Sequence, residues 1–104
     1  MVKEVTNKEF DSVIKKPIAL IDFWAEWCPP CRMVAPIIEE IEKKFKEITF
    51  AKVDIDKNKD LALRFDVEIV PTLLIFRKGR LIDRIIGAVP LEELEKKLKK
   101  SLAK

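Results

Sequence analysis

Apolar residues change their spacing several times along this 104-residue chain, and each change predicts a new element. A short stretch from Val2 to Val5 reads as a strand. Thr6-Asn7-Lys8-Glu9 then has the form of a capping box, and Phe10, Val13 and Ile14 share one helical face. A first short helix should start there and stop before Pro17. Ile18 to Trp24 is nearly all apolar, the pattern of a strand covered on both faces in the middle of a sheet. Val34, Ile37, Ile38, Ile41 and Phe45 follow at i, i+3, i+4, i+7 and i+11, which marks a long amphipathic helix. Pro36 should kink it, because proline removes one ladder donor and crowds the preceding turn.

Ile48 to Ile55 predicts a further strand, and strand-helix-strand of this length implies a right-handed parallel crossover. A short helix is expected around Asn58 to Phe65. Thr72 to Arg77 and Leu81 to Ile86 flank Lys78-Gly79, so they should form an antiparallel hairpin at one side of the sheet. Leu91, Leu94, Leu98 and Leu102 then lie on one face of a last helix, with Pro90 suited to its first turn. The sum is an α/β chain: one mixed sheet of five strands with four helices on both faces.

At 48% hydrophobic, 104 residues supply one modest core, so residues 1–104 are expected to form a single domain. No run of about 18 apolar residues occurs, and Met1-Val2-Lys3-Glu4 lacks the basic and apolar regions of a secretory signal. A soluble, cytoplasmic protein without membrane partners is expected. The net charge of +3 arises from 21 basic and 18 acidic residues spread along the chain, which implies no nucleic-acid partner. Lys96, Lys97, Lys99 and Lys100 crowd the last turns of the final helix, where cations favour the carbonyl end of the dipole. The 38% charged content, frequent isoleucine, two glycines and lack of His and Gln are similar to heat-adapted or deliberately idealised, thermostable sequences.

Both cysteines fall in Trp27-Cys28-Pro29-Pro30-Cys31, where the apolar strand gives way to the long helix. Two thiols so spaced can close and reopen a small disulfide ring, the chemistry of a dithiol electron carrier. A structural disulfide across so short a loop would constrain little of the unfolded chain. Tetrahedral zinc would need four ligands, and with no further Cys or His only a dimer sharing two pairs could complete a site. No metal and no cofactor is therefore expected.

Ile21-Asp22-Phe23-Trp24-Ala25-Glu26-Trp27-Cys28-Pro29-Pro30-Cys31-Arg32, then Ala51-Lys52-Val53-Asp54, then Val70-Pro71-Thr72-Leu73, with Gly79 and Gly87-Ala88, resemble the thioredoxin family from end to end. The resemblance implies the thioredoxin fold, a reversible dithiol at Cys28 and Cys31, and a cis peptide at Val70-Pro71 beside it. It also implies disulfide-containing partner proteins, a thioredoxin reductase or equivalent electron donor, and a monomer. At the N-terminal end of a helix the Cys28 thiol should be unusually acidic and act as nucleophile, with Cys31 one turn in, more buried, as resolving thiol. Without histidine, Asp22 is the candidate base for the Cys31 proton, because it interrupts an apolar strand and burial raises a carboxyl pKa. Lys52 on the neighbouring strand could pair with Asp22 and moderate that rise.

Trp27 should be an exposed contact platform beside the nucleophile, whereas Trp24 fits core packing as well as contact. A cis Val70-Pro71 bond would leave the Val70 backbone free to pair with an extended substrate segment, and the small Gly87 and Ala88 could line the same groove. Pro29 stands where glycine is usual in the family. With Cys28 as helix cap, Pro29 and Pro30 fill the first two helical positions and donate no N–H to the thiolate, which predicts a reducing carrier. A non-catalytic binding module, or an idealised scaffold with an incidental dithiol, is the alternative, and replacing Cys28 by serine separates the two.

Overall fold

A computed structural model describes residues 2–103. The elements run β1 (Lys3–Glu4), α1 (Asn7–Ile14), β2 (Ala19–Trp24), α2 (Pro29–Lys44), β3 (Thr49–Asp54), α3 (Lys59–Arg64), β4 (Thr72–Arg77), β5 (Arg80–Ile86) and α4 (Leu91–Ala103). The five strands form one sheet in the order β1-β3-β2-β4-β5. β3 runs parallel to both β1 and β2, while β4 is antiparallel to β2 and to β5. The nearly unbroken apolar run is thus the central strand, as its lack of alternation requires.

Successive β2 side chains point to opposite faces and feed two cores. Leu20 packs with Val34, Ile38 and Ile41 of α2 and with Leu94 and Leu98 of α4. Ala19, Ile21 and Phe23 pack with Phe10 and Ile14 of α1 and Leu61 of α3. Helices therefore cover both faces, two on each. The second core is aromatic: Phe10, Phe23, Phe65 and Phe76 meet edge-on or tilted, with ring centroids 5.4 to 6.3 Å apart.

Local signals settle most element ends. The Glu9 carboxylate reaches back to accept the Thr6 backbone N–H at 3.3 Å, which starts α1. Helix α2 continues without a break from Pro29 to Lys44, and Pro36 lies on its exposed side. Pro90 sits one position before α4 rather than in its first turn, and its carbonyl accepts the Leu94 N–H. Lys78 and Gly79 both take positive φ, 49° and 88°, as the tight turn between β4 and β5 demands. β5 begins one residue earlier than its apolar pattern suggests, at Arg80, which pairs with Arg77, and a register shift between Ile75 and Phe76 leaves Ile82 as an extra residue on β5. Two backbone bonds, Lys78 N–H to Lys16 O and Gly79 N–H to Ile14 O, tie this hairpin to the end of α1.

Candidate active site

The C-terminal ends of the parallel strands β2 and β3 lie side by side, with Trp24 opposite Asp54. The chain leaving β2 turns at once into α2, and that turn carries the two cysteines. Cys28 caps the helix, and Pro29 and Pro30 take its first two positions. Both prolines lack N–H groups, so the Cys31 N–H is the helix donor that reaches Cys28 Sγ, at 3.1 Å. The two residues are joined as a disulfide, with Cα atoms 5.3 Å apart. Both are buried, at 2% and 3% exposure, so the expected greater burial of Cys31 is not seen. With the ring closed, both side chains pack inward against Ala25, and half-buried Trp24, Ile55 and Val70 complete the cluster.

The Val70-Pro71 bond is cis. Cys28 Sγ lies 3.5 Å from the Val70 carbonyl oxygen, and the Gly87 N–H donates to the Pro71 carbonyl at 2.8 Å. Val70, Pro71 and Gly87, distant in sequence, are thereby brought to one place, and Ala88 follows Gly87 on the exposed surface. Trp27 is 64% exposed, and Ile69 and Ile86, which the sequence pattern did not single out, add exposed apolar surface next to Val70 and Gly87. The Trp27 indole N–H donates to Asp56 Oδ2 at 2.8 Å. Asp56 escapes sequence inspection because nothing about it is unusual; only the parallel pairing of β2 with β3 delivers it to the same sheet end. Arg32 likewise donates from Nη1 to the Glu26 carbonyl at 2.7 Å, clasping the loop before the cysteines.

Asp22 is buried at 4% exposure, and its Oδ1 has no hydrogen-bond partner. Burial pushes its carboxyl up from 3.8 to about 7, against the pull of the nearby Lys52 cation. Lys52 stands in register with Asp22 on β3. Its Nζ makes no ion pair with Asp22 but lies over the Trp24 ring, 5.1 Å from the centroid. A cavity of about 100 Å³ is lined by Asp22, Trp24, Cys31, Arg32, Ala35 and Lys52, so the acid and the inner thiol share one wall. No group of acidic or sulfur ligands that could hold a metal is present among the described residues.

Residues 1–100 match the family model described as thioredoxin. The chain is 37% identical over 102 residues to a thioredoxin of Staphylococcus aureus, covering 97% of this chain and 98% of that protein. Among solved structures, the thioredoxin of Plasmodium falciparum is 35% identical, covers 95% of this chain and 98% of its own, and superposes with a TM-score of 0.89. Oxidised mitochondrial thioredoxin 3 of Saccharomyces cerevisiae, at 35% identity, covers 95% and 94% and gives 0.88. With the dithiol, the sheet order and these matches in agreement, the chain belongs to the thioredoxin family and is a thiol-disulfide oxidoreductase, served by a reductase and acting on disulfides.

Proposed function

We propose that this protein reduces disulfides in partner proteins, with Cys28 as nucleophile, Cys31 as resolving thiol and Asp22 as proton acceptor. The observation that carries the assignment is the cavity shared by Asp22 and Cys31. The Cys28 thiolate attacks one sulfur of the substrate disulfide, forming a mixed disulfide and expelling the other sulfur as a thiolate. Cys31 then gives its proton to Asp22 through the cavity, which is roomy enough for water. Its thiolate attacks Cys28 Sγ, the substrate leaves as its second thiolate, and the Cys28–Cys31 disulfide remains. Two electrons have passed to the substrate. A carboxyl titrating at about 7 suits this exchange near neutrality.

Trp27 and Val70 frame the nucleophile, and Pro29, Pro30, Pro71, Gly87 and Ala88 complete a docking strip for an extended segment of the partner. Lys52 acts at a distance, holding the Asp22 carboxyl lower than burial alone would leave it. The protein then works as a single-domain monomer in the cytoplasm, without nucleic-acid or membrane partners. A mixed-sign surface supports this, as does the lack of any helix, among the described residues, long and apolar enough to cross a membrane.

Single-turnover reduction of a protein disulfide by the pre-reduced protein is the test. Cys28→Ser should abolish the reaction, and Cys31→Ser should stop it at a mixed disulfide through Cys28, detected by mass. Wild-type partner binding with no disulfide reduction by the unaltered protein would instead favour a binding module.

A further inference from the structure

Asp22 walls a second cavity besides the one it shares with Cys31. This smaller space, of about 20 Å³, is lined by Val2, Asp22, Ala35, Ile38, Glu39 and Lys52. Ala35 and Lys52 line both cavities, so the buried carboxyl stands at a junction. Helix periodicity accounts for the arrangement: Cys31, Ala35 and Glu39 are spaced i, i+4 and i+8 on α2 and so lie along one face. Glu39 is about 12 Å along the helix from Cys31. Its side chain belongs to an exposed residue, whereas Asp22 is buried. A space of this size has room for one water, and both side chains line it.

We propose that Asp22 passes its proton to solvent through this second cavity, with Glu39 as the positioning residue at the outlet. This rests on Asp22 being the acceptor of the Cys31 proton. The sequence of steps balances: Cys31–SH loses its proton to the Asp22 carboxylate, the Cys31 thiolate closes the disulfide, and neutral Asp22 returns the proton by way of water to the Glu39 side and then to bulk. A partner held covalently at Cys28 occupies the active-site end of α2, and an outlet two turns further along stays clear of it. The charged and titratable groups facing the acid are Cys31, Arg32 and Glu39 from α2 and Lys52 from β3; its β4 neighbour, Leu73, is apolar.

The test follows mixed-disulfide resolution by mass and the proton release that comes after it with a pH-indicator dye, in Glu39→Gln, Glu39→Asp and Asp22→Asn. Glu39→Gln should resolve the mixed disulfide at the wild-type rate near neutrality and slow the later proton release by roughly threefold or more. Glu39→Asp should recover part of the release rate. Wild-type proton release in Glu39→Gln alongside slowed resolution in Asp22→Asn overturns the outlet and leaves Asp22 in its role. A wild-type rate in Asp22→Asn removes that role, and the outlet with it.

Discussion

One carboxyl governs how the stability of this molecule should respond to pH. Asp22 titrates at about 7 in the folded protein against an ordinary value of 3.8, so between those limits the folded state holds more protons than the unfolded one. Stability therefore falls as pH rises through this window, and the loss is complete above about 7. The difference corresponds to about 4 kcal/mol. Asp22→Asn carries no titratable proton, so its stability relative to wild type should improve by up to that amount between about pH 4 and pH 8. Denaturant titrations of both proteins at several pH values check this, and parallel pH profiles would show that the acid is not desolvated in solution. Asp22 was legible in the sequence because it is a lone acid inside an apolar run that reads as a strand covered on both faces. Lys52 was legible as a neighbour but not in its pose: the sequence suggests a pair, whereas the cation lies over Trp24. That choice depends on rotamers and desolvation, which no pattern encodes.

At the level of elements, the start of α2 sets the character of the thiol. A cap residue receives its hydrogen bonds from the second and third helical N–H groups, and here the second belongs to a proline. Pro30→Ala would restore that donor directly beside Cys28 Sγ, whereas Pro29→Ala restores a donor at a position that points less well at the cap. Pro30→Ala should therefore move the thiolate titration of Cys28 to lower pH and make the couple less reducing, and Pro29→Ala should do so more weakly. Ultraviolet absorbance of the thiolate and equilibration in redox buffers measure both; an unchanged titration in Pro30→Ala would show that the missing donor has no weight. The helix cap was readable in advance because two prolines in a row after a strand leave few places for a helix to begin. Burial of Cys28 was not, since it depends on Val70 arriving from residues far along the chain.

Across the whole molecule, the ion pairs seen among the described residues join side chains that reach solvent. Lys44–Glu95, Arg64–Asp11 and Lys97–Asp83 are pairs between partly exposed side chains, at 3.6, 3.0 and 3.9 Å. Such pairs contribute little at ordinary temperature and are screened by salt. The unfolding midpoint should accordingly change little when sodium chloride is raised from about 50 mM to 500 mM; a large drop would show that the surface charges act as a network. Periodicity made the element order, the two-sided sheet and the hairpin legible. The partners of Trp27 and the two cavities at Asp22 were not, because they arise where separate elements converge.

The place of β4 beside β2 has a consequence for the chain as it is being made. β2 and the cysteine-bearing helix emerge from the ribosome well before β4, a gap on the order of several seconds at ordinary synthesis rates. During that interval the most apolar strand of the protein has no neighbour on one side and offers its free backbone to whatever is nearby. The arrival of Thr72–Arg77 covers that edge of β2, and β5 then pairs with β4 to complete the sheet.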